Sequence, residues 1–225
     1  MDSKEASGTV RKPGPKPLQS SSVRTQYLIL YNFVSMILWL AVLGRVVLLV
    51  PMVGFGRVYQ GAGNFTKWTQ TMALLEVVHS AVGIVRAPIG TTLMQVSSRL
   101  LLVWGIVNNF PFVARSAGYS SMLFAWGLTE VVRYGFFVFT LSGYSPGIIS
   151  WLRYNTFLIL YPLGASSEAW LVYKAIPAAK KIRQEYAWAL QLILFIYIPG
   201  FYILFTHMLK QRRKIMRGKQ IEKIQ

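Results

Sequence analysis

The residues whose types and spacing could carry chemistry lie in one apolar stretch, residues 151–170. Tyr161 and Glu168 are seven residues apart, which in a helix is about two turns or ~10 Å, so both side chains leave nearly the same face. Arg153 precedes Tyr161 by eight residues and points roughly the same way. An ionisable group in a segment long enough to cross a bilayer is by default a candidate functional site. The stretch therefore predicts a catalytic or transport role.

Pro162 and Gly164 lie between the two reactive groups. A proline inside a helix removes one hydrogen bond and bends the axis. We expect such a bend to tilt Tyr161 and Glu168 toward a common point and to leave a substrate-sized gap. The alternative is an interfacial tyrosine and a glutamate that reaches the headgroups. From spacing alone the two interpretations are equally supported.

Two other spans carry ionisable residues that share a helix face. Glu130 faces Arg133 at one helical step and Tyr134 at the next. We favour a structural ion pair there, because an unpaired charge costs several kcal/mol in lipid. Glu76 and His79 could form a proton relay or a polar contact between helices, and we favour the contact.

Composition places these residues in a multi-span membrane protein. The chain has 225 residues, is 54% hydrophobic and contains long apolar runs. Runs of about 20 residues predict six spans, at 27–50, 68–85, 91–114, 119–141, 148–175 and 186–209. The second span is the weakest, because it contains charged and histidine side chains. Short connections favour antiparallel neighbours, so we predict an all-α fold, an integral membrane bundle of six transmembrane helices.

The charge distribution predicts the topology. The net charge is +17, but five basic residues precede Tyr27 and seven lie from Lys210 onward. We interpret them as topology signals and contacts with anionic lipid, and we predict no nucleic-acid partner. An even number of spans puts both termini in the cytosol, although Lys180, Lys181 and Arg183 then fall on the far side. The predicted domains are a disordered basic cytosolic arm (1–25), a transmembrane domain (26–209) and a basic cytosolic tail (210–225).

Composition also excludes several kinds of site. The chain has no cysteine, which removes disulfides, thiolate catalysis and cysteine-ligated metals. With only His79 and His207, a histidine-rich metal site is not expected, and no cofactor is predicted. We find no internal repeat of the kind that many transporters carry.

Several ordered motifs resemble one known family. Leu-Arg-Tyr-Asn at 152–155 and Leu-Tyr-Pro-Leu-Gly-Ala-Ser-Ser-Glu at 160–168 closely resemble the signature of the very-long-chain (3R)-3-hydroxyacyl-CoA dehydratases of the endoplasmic reticulum. Further similar stretches lie at 75–80, 95–100 and 129–134. This family was once called protein-tyrosine-phosphatase-like, but a chain without cysteine lacks the nucleophile for that reaction.

The resemblance implies that Tyr161 and Glu168 are the catalytic pair. Positions that it implies to matter for activity are Arg99, Glu130, Arg133, Tyr134, Arg153 and Gly164. The implied reaction converts a long-chain (3R)-3-hydroxyacyl-CoA into the trans-2-enoyl-CoA, the third step of each elongation cycle. The implied setting is the endoplasmic reticulum membrane, with lipid and the other elongase subunits as partners: the condensing enzyme and the ketoacyl and enoyl reductases.

Dehydration needs a base for the C2 proton and an acid for the departing C3 hydroxyl. We prefer Glu168 as base and Tyr161 as acid, and the reverse assignment stays open. Four arginines in the predicted cytosolic half, Arg86, Arg99, Arg133 and Arg153, are expected to form the entrance for coenzyme A. In a competing interpretation, Arg133 is paired with Glu130, and Arg99 only caps a helix end. A non-catalytic membrane adaptor and an ion or proton transporter are the alternative functions.

Overall fold

The computed structural model describes residues 22–144 and 146–222, and every regular element in these two ranges is helical. The predicted all-α fold is therefore confirmed. The described ranges contain eight α-helices: α1 (Val23–Val53), α2 (Val58–Thr71), α3 (Leu74–Ala81), α4 (Ile89–Leu100), α5 (Ala117–Leu141), α6 (Gly147–Asn155), α7 (Phe157–Ile182) and α8 (Gln184–Glu222). A π-helical turn, Leu101–Val107, extends α4, and short 3₁₀ turns cover Phe55–Arg57 and Pro111–Arg115.

Within the described ranges, four helical segments are long and apolar enough to cross a membrane. They are α1, α4 with its π-helical extension, α5, and Gln184–Ile215 of α8. They coincide with the first, third, fourth and sixth predicted spans, so the predicted number of six is not reached by this measure. The second predicted span is broken between α2 and α3, which are 14 and 8 residues long. The fifth is broken at Thr156, and polar residues lower the hydropathy of α7.

Three predicted boundaries differ from the structure because helices continue through polar sequence. The first connection is largely helical, since α2 begins at Val58. Lys180 and Lys181 belong to the last turn of α7 and not to a loop, where their charge complements the helix dipole. The predicted tail from 210 continues α8 as far as Glu222, because lysine, arginine and glutamine are good helix formers.

At the other end of the chain, α1 begins at Val23, three residues before the predicted domain boundary. The predicted arm lies at 1–25, and its residues 1–21 fall outside the described ranges.

The bundle is built around α5. This helix packs against α1 on one side and α7 on the other, and α8 packs mainly on α7. Glycine permits the close approach of α1, because a Cβ at Gly127 would lie 3.1 Å from the Leu43 Cβ. The side chains of Val42, Met122 and Leu171 are fully buried between these helices. The candidate site lies on the outer side of α5, between it, α7 and α8.

Hydrogen bonds join the ends of the segments to one another. These bonds run from Arg24 to the Ile84 carbonyl, from Lys67 to Asn108, from Tyr186 to the Gly105 carbonyl, and from Arg212 to Asn155. The first and last of these contacts lie at the end of the bundle where α1 begins. At the opposite end, Gly61 near the start of α2 faces Leu49 near the end of α1, and Gly118 at the start of α5 faces Trp170 of α7. The broken segments α2–α3 and α6–α7 therefore extend from one end of the bundle to the other.

Candidate active site

Glu168 lies on α7, half-buried, and two neutral donors from neighbouring helices hold its carboxyl group. Trp126 of α5 donates its indole N–H to Oε1 at 2.7 Å. Tyr197 of α8 donates its hydroxyl to Oε2 at 2.9 Å. A carboxylate has about four lone-pair positions, so these two bonds orient the group and leave it able to accept a proton.

Tyr161 lies on the same helix and is held through its ring. The ring stacks on Phe201, with centroids 5.2 Å apart, and on Phe205, with centroids 6.1 Å apart. Among the residues that the structure describes, none hydrogen-bonds the Tyr161 hydroxyl. The ring is therefore fixed while the hydroxyl remains available to another molecule.

Gly164 separates the two groups on one helix face. Tyr161, Gly164 and Glu168 follow at intervals of three and four residues within α7, so the predicted shared face is confirmed. A Cβ at Gly164 would lie 3.6 Å from the Ala125 Cβ and 4.0 Å from Glu168 Oε1. The helix continues through Pro162 without a break, and the interruption lies at Thr156 instead. Gly164 thus places no side chain between Ala125 and the Glu168 carboxyl group.

A cluster of four charged residues joins α3, α4 and α5. Arg133 binds both oxygens of Glu76, at 3.0 and 2.7 Å, and Glu130 Oε2 at 2.6 Å. Arg99 binds the other Glu130 oxygen, and Tyr134 donates its hydroxyl to Glu76. The predicted Glu130–Arg133 ion pair is confirmed. Its extension to Glu76 and Arg99 was not predicted, because those partners lie on other helices.

Trp126 connects this cluster to Glu168. The Arg99 guanidinium lies over the Trp126 ring, 4.9 Å from its centroid, while the ring nitrogen donates to Glu168. A cation over an indole face is attracted by the ring. Trp126 thus contacts both polar regions, while the ion pairs of Arg99 and the hydrogen bonds of Glu168 involve different groups.

Glu76 and His79 bind different neighbours. Glu76 binds α5, whereas His79, only 3% exposed, lies 2.8 Å from the Tyr27 hydroxyl of α1. The Tyr31 ring meets the imidazole edge-on. The favoured interpretation, a polar contact between helices, is confirmed. Within the described ranges these two side chains do not hydrogen-bond each other, so a direct proton relay between them has no support.

The four arginines of the predicted coenzyme A entrance lie in different surroundings. Arg99 forms an ion pair with Glu130, and Arg133 forms ion pairs with both Glu130 and Glu76. Arg86 is exposed. Arg153 lies over the rings of Phe136 and Phe137, 4.3 and 4.8 Å from their centroids. Its Nη1 is buried and has no hydrogen-bond partner in the described part of the chain.

The side chains that hold the two reactive groups were missed from the sequence. They are Trp126, Tyr197, Phe201 and Phe205. Aromatic residues in an apolar span are usually core or interfacial residues, so their types alone carry no signal. Their spacing could have helped: the three residues of α8 follow one another at intervals of four, on one face of the helix.

The fold defines a helical membrane protein, and the site places a carboxyl group and a tyrosine hydroxyl on one face of α7. Residues 70–218 match the family model described as protein tyrosine phosphatase-like protein. A probable very-long-chain (3R)-3-hydroxyacyl-CoA dehydratase of Schizosaccharomyces pombe is 44% identical over 88% of this chain and 96% of its own length. The dehydratase PASTICCINO 2 of Arabidopsis thaliana is 37% identical, over 90% and 98%. Dehydratase 1 of Mus musculus is 35% identical, over 98% and 81%.

The chain belongs to this family, the very-long-chain (3R)-3-hydroxyacyl-CoA dehydratases, whose members are hydro-lyases. The resemblance inferred from the motifs is thereby confirmed. No solved structure matches the chain significantly.

Proposed function

We propose that this protein removes water from a (3R)-3-hydroxyacyl-CoA to give the trans-2-enoyl-CoA in very-long-chain fatty-acid elongation. The observation that carries the proposal is the shared α7 face, which bears an oriented carboxyl group and a tyrosine whose hydroxyl has no partner among the described residues. Membership of a dehydratase family supports it.

In the proposed reaction Glu168 is the base and Tyr161 the acid. Both Glu168 oxygens accept hydrogen bonds, which suits an ionised carboxylate, an acceptor-only group. Glu168 takes the C2 proton, and the electrons of that C–H bond form the C2–C3 double bond. The C3–O bond breaks as the Tyr161 hydroxyl protonates the departing oxygen, which leaves as water. Glu168 then releases the C2 proton to solvent and the Tyr161 oxygen takes up a proton from solvent, so that both groups recover their starting states.

Arg153 is the proposed contact for the phosphates of coenzyme A. Its buried Nη1 lacks a partner in the described residues, and the aromatic rings beside it leave its charge unneutralised. A guanidinium matches phosphate oxygens with paired donors. The proposed role of Arg99, Glu130, Arg133 and Tyr134 is to hold α3, α4 and α5 together beneath the site, and that of Gly164 is to leave room for the substrate.

The proposed membrane arrangement has six crossing segments, with α2–α3 and α6–α7 as the second and fifth. The contacts at the two ends of the bundle support it, since both broken segments extend its full length. Both termini would then lie in the cytosol, with residues 26–209 as the transmembrane dehydratase domain and the basic stretches at 1–25 and 210–225 on the same side. We place the protein in the endoplasmic reticulum membrane beside the other elongase subunits.

The transporter alternative predicts interrupted helices in matching halves. The breaks at Met72–Ala73 and at Thr156 do fall in the second and fifth segments. The charged group after the first break is neutralised, however, because Glu76 binds Arg133. The dehydratase proposal also accounts for Tyr161 and Glu168, which a transporter would not need.

The activity test uses purified protein and a long-chain (3R)-3-hydroxyacyl-CoA. We expect the trans-2-enoyl-CoA to form, and the protein to hydrate the enoyl product in reverse. The (3S) enantiomer is the matched control and should not react. Absence of both reactions with a folded protein would contradict the proposed function.

The topology test places glycosylation acceptors, each in an inserted spacer, in the connections at 82–88 and 142–146. Six crossing segments put both connections in the cytosol, so neither acceptor should be modified. If only the four apolar segments cross, both connections lie in the lumen and both acceptors are glycosylated. An acceptor at 108–116 is the internal control, since the two arrangements predict the opposite result there.

A further inference from the structure

Helix α8 is the outermost helix of the described bundle. It packs mainly on α7, and none of the residues in its most apolar window is buried. Phe195, Ile198, Tyr202 and Ile203 are exposed. These side chains of α8 point away from the rest of the described bundle.

One stripe of α8 departs from that description. Tyr197, Phe201 and Phe205 follow at intervals of four residues, so they lie on one helix face. Each of them contacts one of the two reactive side chains of α7. Phe201 and Phe205 also stack on each other, with centroids 5.4 Å apart. The stripe is therefore continuous from Glu168 to Tyr161.

The geometry points to α8 as a positioning helix for both catalytic groups: we propose that Tyr197 orients the Glu168 carboxylate and that Phe201 and Phe205 fix the plane of the Tyr161 ring. This inference rests on the proposed function. The Tyr197 hydroxyl needs a hydrogen-bond partner inside an apolar helix, and its partner is Glu168. It is thus committed to the base, whereas the Tyr161 hydroxyl has no partner in the described ranges.

Stacking defines the direction of the Tyr161 hydroxyl. The Tyr161 ring lies within 18° of parallel to Phe201 and within 11° of parallel to Phe205. Two nearly parallel neighbours hinder displacement of the ring out of its plane, and conjugation keeps the phenolic O–H bond close to that plane. The proton that Tyr161 donates is consequently aimed by α8, and a small misplacement of a catalytic group lowers turnover strongly.

The C-terminal half of α8 has a contact that would hold this register. Arg212 donates from Nε and Nη2 to Asn155 Oδ1, at 3.1 and 2.9 Å. The Phe157 ring also meets Phe205, at 6.0 Å between centroids. The contacts run in opposite directions along α7 and α8, as in an antiparallel pair, so a shift of α8 would displace the donor to Glu168 and the stack on Tyr161 together.

The test begins with Tyr197→Phe and with the double variant Phe201→Leu/Phe205→Leu. We expect each to lower kcat about 10-fold with an unchanged KM, because positioning acts on the transition state and not on substrate binding. Tyr202→Phe and Phe195→Leu change exposed residues of the same helix and should leave kcat unchanged.

Double variants separate positioning from support of the fold. In a Glu168→Gln background, Tyr197→Phe should cause no further loss, while in a Tyr161→Phe background it should cause its full loss. Phe201→Leu/Phe205→Leu should cause no further loss in the Tyr161→Phe background and its full loss in the Glu168→Gln background. Equal losses in both backgrounds would mean that α8 only supports the bundle, and an unchanged kcat would overturn the proposal outright.

A spectroscopic readout keeps this inference separate from the proposed function. The chain has only seven acidic residues, so the infrared band that Glu168→Gln removes can be identified. Tyr197→Phe should shift that carboxylate band, and Tyr202→Phe should not. A shifted band in a protein that forms no enoyl product would refute the function alone. Product formation with an unshifted band and unchanged kcat would refute the positioning role alone.

Discussion

The charged cluster on α3–α5 and the reactive face of α7 both hold glutamates between helices, but the partners of these glutamates differ. Glu130, only 3% exposed, is bound by two arginines, and Glu76 is bound by one of these and by Tyr134. Glu168 has two neutral donors in their place. Two glutamates and two arginines cancel in the first region, whereas the second keeps an unneutralised carboxyl group.

From this difference we infer which of these acids is free to react. A carboxylate between two guanidiniums gains little by accepting a proton, since protonation would leave two cations uncompensated. A carboxylate held by neutral donors is oriented without that penalty. Trp126 touches both regions and lets each keep its own partners. We therefore assign the cluster to stability and the α7 face to chemistry, and the following variants test that division.

The largest effect is expected from Glu130→Gln. Removing this carboxylate leaves Arg99 and Arg133 partly unpaired, and breaking a buried pair costs about 3–5 kcal/mol. Thermal unfolding of the detergent-solubilised protein should show a strongly lowered Tm, or too little folded protein to measure. Glu168→Gln is the matched control and should keep the Tm. A stable Glu130→Gln protein with lost turnover would move the cluster into the chemistry.

The next effect is on turnover. Tyr161→Phe and Glu168→Gln should each lower kcat by about 10² or more, the usual contribution of a general acid or base. The amount of folded protein should not change. Tyr173→Phe is a control on the same helix, since this side chain is exposed. Near-normal turnover in either catalytic variant would remove that residue from the mechanism.

The local part of this division could be read from the sequence, and the long-range part could not. Glu130 and Arg133 are one helical step apart, and Tyr161 and Glu168 share a face, so spacing alone predicts both relations. Arg99 reaches Glu130 from another helix. Its partner depends on how the helices are rotated about their axes, which no local pattern encodes.

The breaks in the second and fifth predicted spans were missed for a related reason. Apolar periodicity continues across Met72–Ala73 and across Thr156, and neither site is marked by proline or glycine. At Thr156 the side-chain hydroxyl donates to the Leu152 carbonyl, so a local side-chain bond accompanies the interruption. Hydropathy detects the apolar runs but is insensitive to such local competition for backbone groups.

A third, smaller effect is expected on KM, and it should differ between Arg153 and Arg99. Arg153→Gln should raise KM for the coenzyme A substrate about 10-fold, the value of one charge-assisted hydrogen bond. It should raise KM much less for a substrate that carries only the pantetheine arm, because that substrate lacks the nucleotide phosphates that Arg153 would contact. Arg99→Gln should affect both substrates equally, since Arg99 is bound to Glu130. Equal losses for Arg153→Gln would place coenzyme A elsewhere.

The smallest effect, and the sharpest contrast between stability and chemistry, is expected from Gly164→Ala. The added methyl group would meet Ala125 at 3.6 Å, an ordinary contact, so the variant should fold with an unchanged or slightly raised Tm. Alanine also favours a helix over glycine by up to about 1 kcal/mol. The same methyl group would lie 4.0 Å from Glu168 Oε1, between the two proposed catalytic side chains.

We therefore expect a few-fold loss of kcat in a protein that is no less stable, measured by turnover and Tm on one preparation. Gly44→Ala is the matched control, because a Cβ at Gly44 of α1 meets nothing within 4 Å. It should show the same change in Tm and full activity. If Gly164→Ala also kept full activity, the substrate would not occupy the space beside Glu168, and the gap left by Gly164 would serve only the packing of α7 on α5.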